Sequence, residues 1–251
     1  MLQRLLLLSC TCLVTVSALA ADLKVLSAGA VGAPVAKLAQ SQPAGTVTTI
    51  AYETVGGITA RITAGEKPDV VIMTTEAISE LIQQGRIVAG SRRDLGQVGV
   101  GVVVRDGTPS PDIGSIEALR KTLLAAPSIA YVDPTRGTSG KHFASVLQQL
   151  GIADAVQSKI RLITGGSVVA VVITGEAALG VQQISEILPY TDKGVRLVGP
   201  LPAGLQKITT YTAAVMNTSI DPQAAQRFID QLVTPQAKQV FASAGFDTPG
   251  L

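Results

Sequence analysis

The stretch Tyr131-Val132-Asp133-Pro134-Thr135-Arg136-Gly137-Thr138-Ser139-Gly140-Lys141-His142-Phe143 gathers the side chains best able to do chemistry. Its pattern predicts a buried strand from Ser128 to Val132, a small-residue turn, and a helix carrying Phe143, Val146, Leu147 and Leu150 on one face and stopping at Gly151. The turn then lies at a helix N-terminus, where unpaired backbone N–H groups and the helix dipole favour an anion. Thr138 and Ser139 add hydroxyl donors beside Gly140, and Arg136 adds a fixed positive charge. The same residues would equally make an ordinary cap on a surface helix, with Arg136 a surface charge. His142 is the chain's single histidine. Facing a cleft, it could serve as a general base or a ligand donor, kept neutral by the helix N-terminus; otherwise it is a solvent-facing residue of a first turn.

What strengthens the anion expectation is recurrence. Small residues also precede helices at Gly29, Ala30, Val31 and Gly32, at Thr54, Val55, Gly56 and Gly57, and at Gly165, Gly166 and Ser167. The elements around them follow from periodicity. Leu23 to Ser27, Val47 to Tyr52 and Asp69 to Met73 read as strands, separated by a helix opened by Pro34 and another carrying Ile58 and Ile62. Thr75 is expected to cap a helix with Ile78, Leu81 and Ile82 buried. Val98 to Arg105 reads as one strand, Ser115 to Leu124 as a helix, and Ile160 to Ile163, Ala178 to Gln183, Val195 to Val198 and Thr209 to Val215 as further strands. Two amphipathic helices close the chain at Asp221-Pro222 and Thr234-Pro235. Alternating strands and helices predict an α/β fold with parallel sheets, whose ligands bind beyond the carboxyl ends of the strands. Gln183 stands at such an end. Glu53, Glu76 and Glu186 also follow strands, and as single carboxylates they are expected to be solvated.

Residues 1–20 have the pattern of an export signal: Arg4, an apolar run from Leu5 to Val16, and Ala18-Leu19-Ala20 before the cleavage point. Export to a periplasm is therefore expected. Cys10 and Cys12 both lie in that segment, so the processed chain should have no thiol chemistry. The net charge of +2 and the lack of any basic cluster exclude a nucleic-acid surface. One histidine and no cysteine beyond the signal leave no metal-ligand spacing, and no cofactor motif appears. There is no Gly-x-Ser-x-Gly nucleophile elbow. Aromatics are 3% of the chain and tryptophan is absent, so the core must be built from Val, Ile, Leu and Ala.

The chain resembles the periplasmic solute-binding proteins of ABC importers, of type II topology and on the molybdate-binding branch. The resemblance is carried by Ser27-Ala28-Gly29-Ala30-Val31, Ile62-Thr63-Ala64-Gly65-Glu66-Lys67-Pro68-Asp69-Val70-Val71-Ile72, Asp133-Pro134 with Thr138-Ser139-Gly140, Gly175-Glu176-Ala177-Ala178-Leu179-Gly180, and Asp221-Pro222 with Ala225, Phe228 and Ile229. It implies two α/β lobes with a ligand cleft between them, one of residues 22–98 plus 212–251 and the other of 99–211. It further implies a monomer that binds a small anion, a molybdate-class oxyanion or an organic carboxylate, and docks on a membrane permease. Ligand contacts carried over would come from Gly29, Ala30, Val31, Thr54, Val55, Gly56, Arg136, Thr138, Ser139, Gly140, Gly165 and Gln183. The chain departs from the branch at Ala30 and near Thr54 and Val55, where serines are usual, and at Gln183, where a tyrosine is usual. Arg136, if it faced the cleft, would favour carboxylates. The run Gly180 to Pro189 with Gly199-Pro200-Leu201-Pro202 is similar to a sub-branch that resembles aconitate isomerases. That implies a second activity, a proton shift in an unsaturated tricarboxylate with His142 as base.

Overall fold

The computed structural model describes residues 22–41, 47–165 and 167–247. The expected export signal with both cysteines, and Gly166, lie outside the described residues. The chain opens with β1 (Asp22–Ala28), a 3-10 turn over Gly29–Val31, α1 (Gly32–Ala39), β2 (Val47–Glu53), α2 (Val55–Thr63), β3 (Val70–Thr74), α3 (Thr75–Gln83) and β4 (Arg93–Val98). It continues through β5 (Val100–Arg105), α4 (Ile116–Ala125), β6 (Ile129–Val132), α5 (Thr138–Gln149), α6 (Ala153–Val156), β7 (Ile160–Ile163), α7 (Val168–Ile173), β8 (Leu179–Gln183), α8 (Ile184–Ile187) and β9 (Val195–Pro200). β10 (Thr209–Val215), α9 (Pro222–Gln231) and α10 (Pro235–Ser243) complete it.

These strands form two sheets of the same design, ordered β2-β1-β3-β10-β4 and β7-β6-β8-β5-β9. The α/β, two-lobed architecture is as expected; the sheets are mixed rather than parallel. β1 runs parallel to β2 and β3, and β6 parallel to β7 and β8. β10 and β5 run antiparallel to their neighbours. Each is the strand by which the chain enters a lobe from the other one, so it arrives in the opposite sense and cannot join by a right-handed βαβ crossover.

β-branched residues make these strands because each is covered. Every residue of β3 is buried, as expected of an inner strand with helices on both faces. In β5 the faces alternate: Val102 and Val104 enter one apolar cluster with Leu119, Ile129 and Phe143, while Val103 enters another with Val168, Val169 and Val172. The first lobe packs Val25, Val70, Ile72, Phe228 and Phe241 around its own sheet. Two local expectations change. Thr74, not Thr75, caps α3, accepting from the Ala77 N–H at 3.4 Å, while the Thr75 hydroxyl meets that of Thr212 at 2.7 Å. Ile82 is 44% exposed, on the outer face of α3.

The run Val98 to Arg105 is divided at Gly99, because β4 ends in one sheet and β5 begins in the other. The return crossing joins β9 to β10 through a 3-10 turn, Ala203–Leu205. Gln206 ties the two crossings together. Its Oε1 accepts from the Val100 N–H at 2.9 Å and its Nε2 donates to the Val100 carbonyl at 2.8 Å. Gln206→Ala should therefore lower stability by about 1–3 kcal/mol, the cost of leaving a partly buried backbone donor unpaired. Urea denaturation checks this, and an unchanged midpoint would show that the crossings hold without the clamp.

Candidate functional site

A cavity of about 330 Å³ opens between the lobes, at the carboxyl ends of β1, β2, β6, β7 and β8. Gly29 and Ala30 reach it from the first lobe, with Thr54 and Val55; Thr138, Ser139, Gly165 and Gln183 reach it from the second. Those eight are the sequence-derived residues that the fold brings together.

The strongest anion feature is the start of α5. An Asx turn sets it up: the Asp133 carboxylate accepts from the Thr135 N–H at 2.8 Å and its hydroxyl at 2.6 Å. Gly137 takes the cap position, and no side chain caps the helix. Its first N–H groups are therefore left to the cavity, beside the buried Ser139. The turn at Gly29–Val31 likewise has no side-chain cap. Gly140 stands behind this surface: a Cβ there would lie 1.9 Å from the Val132 carbonyl, so glycine is required for α5 to pack against the end of β6. Val31 is fully buried in the first lobe's core and does not line the cavity.

The start of α2 differs from the expectation. Most of its first donors are already taken. Thr54 accepts from the Gly57 N–H at 3.1 Å, and the Gly56 N–H donates to the Arg136 carbonyl at 3.0 Å, across the cleft. Glu53 supplies a resident anion there, with Oε1 accepting from the Thr54 N–H at 2.8 Å. The Arg136 guanidinium sits 3.9 Å from that same oxygen, with both side chains partly exposed, so Arg136 lies at the rim beside Glu53 rather than on the cavity wall. Among the described residues no lysine or arginine lines the cavity.

His142 is also placed elsewhere. Its Nε2 lies 2.8 Å from the Leu205 carbonyl, on the return crossing, and it does not line the cavity. Burial lowers its pKa, opposed by the Leu205 hydrogen bond and aided by Lys207, so the neutral ring is favoured. Helix spacing put His142 one turn from the site but could not show that the Leu205 carbonyl, distant in sequence, takes up its ring.

Glu186, expected to be solvated, is on the wall instead. Its side chain is partly buried and lines the cavity. Burial pushes its carboxyl up to about 7, against a hydrogen bond from the Gln182 side chain. Tyr211 lies nearby on β10, its phenol held well above its ordinary pKa by burial and then by the charge of Glu186. Gln182 and Gln183 are buried side by side, each with an Oε1 that finds no partner among the described residues. The sequence signal for this wall was a buried strand ending in two glutamines just before Glu186. Among the described residues no group of three or more His, Cys, Asp or Glu could hold a metal ion.

The bond between Gly56 and Arg136 closes the cleft, and a Cβ at Gly56 would lie 2.8 Å from the Arg136 carbonyl. Gly56→Ala should hold the lobes apart, leaving the melting temperature nearly unchanged while weakening ligand binding by roughly tenfold, the loss of about 1.4 kcal/mol. Calorimetric titration and small-angle scattering check it; unchanged affinity and size would show that the contact does not control closure.

Comparison with known proteins agrees with this geometry. Residues 23–247 match the family model described as bacterial extracellular solute-binding protein. An aconitate isomerase of a Pseudomonas species is 34% identical over 194 residues, 77% of this chain and 72% of that protein. The molybdate-binding protein ModA of Azotobacter vinelandii is 28% identical over 246 residues, 93% of each chain. The solved structure of the periplasmic molybdate-binding protein of Azotobacter vinelandii superposes with a TM-score of 0.76 at 22% identity, over 90% of this chain and 99% of that one. With a family model spanning almost all the described residues and two lobes closing on a shared cavity, this chain belongs to the bacterial extracellular solute-binding proteins.

Proposed function

We propose that the protein captures a small acid anion between its lobes in the periplasm and, as a monomer, delivers it to a membrane permease of the ABC class. The observation that carries this is the uncapped start of α5 facing the uncapped Gly29–Val31 turn across one cavity. Oriented N–H donors and dipoles can hold an oxyanion without a cationic side chain. The ligand would rest on the backbone near Ala30 and Ser139, with the hydroxyls of Thr138 and Ser139 beside it. An organic carboxylate suits the cavity better than a tetrahedral dianion. Two carboxyl groups, Glu53 and Glu186, line the cavity, with Arg136 beside Glu53 only at the rim and no lysine or arginine on the wall among the described residues, and any negative charge on them would penalise a compact dianion most.

A second activity has specific support. A relative 34% identical over 194 residues is an aconitate isomerase, and burial pushes the Glu186 carboxyl on the cavity wall up to about 7. A carboxyl so tuned can take a proton from carbon and return it, the step needed to move a double bond in an unsaturated tricarboxylate. On this account the base is Glu186 and not His142.

A thermal-shift screen of molybdate, tungstate, sulfate and trans-aconitate, followed by assay of isomer formation from trans-aconitate, separates these roles. Stabilisation by trans-aconitate without turnover is the expected result. Stabilisation by molybdate alone would overturn the carboxylate preference, and turnover would establish the isomerase. His142→Ala should leave affinity and any turnover within about twofold, because its ring contacts the return crossing; a large loss would place it in the site after all.

A further inference from the structure

The deep wall of the cavity is rich in acceptors and poor in donors. Gln182 lies against Glu186 and favours its charged form, and the Gln183 Nε2 points at the Tyr211 hydroxyl at 3.4 Å and the Thr209 hydroxyl at 3.5 Å. That leaves the Oε1 atoms of both glutamines unpartnered, with both side chains at least 98% buried. Glu186 stands with them, its Oε1 3.0 Å from where a Cβ on Gly29 would lie, so it meets any anion held at the Gly29 turn. An anion is itself an acceptor: on this wall the Tyr211 hydroxyl can donate to it, and Glu186 can do so only if it carries a proton.

We propose that Glu186 enters the complex protonated and donates that proton in a hydrogen bond to an oxygen of the bound anion, so that each capture takes up a proton from solvent. This rests on the small-anion function proposed above. The groups around Glu186 favour it. α8 packs on the Gly29–Val31 turn, α1, β5, β8, β9 and the turn Leu188–Tyr190. From these, Lys37 lines a separate surface cleft with Leu188 and Pro189, and Arg105 lies beside Gly175. Arg196 bonds Ser110 and the Thr108 carbonyl, and Lys193 lies over the ring of Tyr190. Facing Glu186 are Gln182 and, from β10, Tyr211, which Glu76 of α3 also influences; Glu53 shares the cavity. None of these is a cation that would hold Glu186 ionised. Burial already brings its carboxyl to about 7, and an anion in contact with it that raises it by about two further units keeps the proton in place at pH 8.

Isothermal titration of the full processed chain with trans-aconitate, and separately with molybdate, in buffers of different ionisation enthalpy counts the protons taken up. Near pH 8 the expected uptake is close to one proton per anion, with affinity falling roughly tenfold per pH unit above neutrality. Glu186→Gln keeps a donor without a titrating group, so uptake should vanish and affinity should become flat with pH. Uptake near zero in the native protein, or uptake that persists in Glu186→Gln, would overturn the assignment while leaving anion binding intact. If the variant fails to fold, the native proton count decides alone. Failure of both anions to bind at any pH would overturn the small-anion function and this inference with it.

Discussion

Among the described residues no cationic side chain lines this cleft, so an anion held there would have to be balanced by other groups. The cavity wall carries helix N-termini, hydroxyls, amides and two carboxylates, and the nearest guanidinium stays at the rim with Glu53. On the proposed reading the anion would be neutralised by oriented backbone donors, which cost no reorganisation because the fold already fixes them. Much of the local design serves that. Gly137 and Gly140 let α5 dock against the end of β6, and the lack of a capping side chain keeps its first N–H groups available. α2 has the opposite arrangement, with Thr54, Glu53 and the Arg136 carbonyl filling its N-terminus from within the protein.

The same contacts link binding to motion. The Gly56 N–H meets a carbonyl of the opposite lobe, so the protein's own backbone bridges the cleft at the rim. Gln206 holds the two crossings together at the hinge side, and His142 braces the segment that carries Gln206 through the Leu205 carbonyl. A rim contact and a clamped pair of crossings are the parts a hinge-closing receptor needs.

Much of this was legible in the sequence, and the exceptions have physical causes. The strand, turn and helix around Ser139 followed from apolar periodicity and small residues, and both survive because they are local properties. Long-range pairing is not local. The apolar pattern of the run from Val98 to Arg105 reads as one strand; only the family resemblance placed a lobe boundary between residues 98 and 99, where β4 gives way to β5. Arg136 and His142 were weighed by type and spacing, but partners distant in sequence, Glu53 and Leu205, decide where they point. Glu186 was discounted because lone carboxylates are usually solvated, whereas here β8 delivers two buried glutamines and the next turn of chain places the carboxyl behind them. That wall distinguishes this cavity from one built of hydroxyls alone.

The central claim, that oriented N–H groups at two helix starts hold the anion, is tested most directly by two-dimensional 1H–15N spectra recorded during titration with trans-aconitate and with molybdate. The account predicts that the amide resonances of Ala30, Thr138 and Ser139 move downfield with saturation, as new hydrogen bonds form there, while those of Gly56 and Gly57, already bonded within the protein, move little. Saturable shifts confined to Gly56 and Gly57, or to residues outside the cavity, would contradict it.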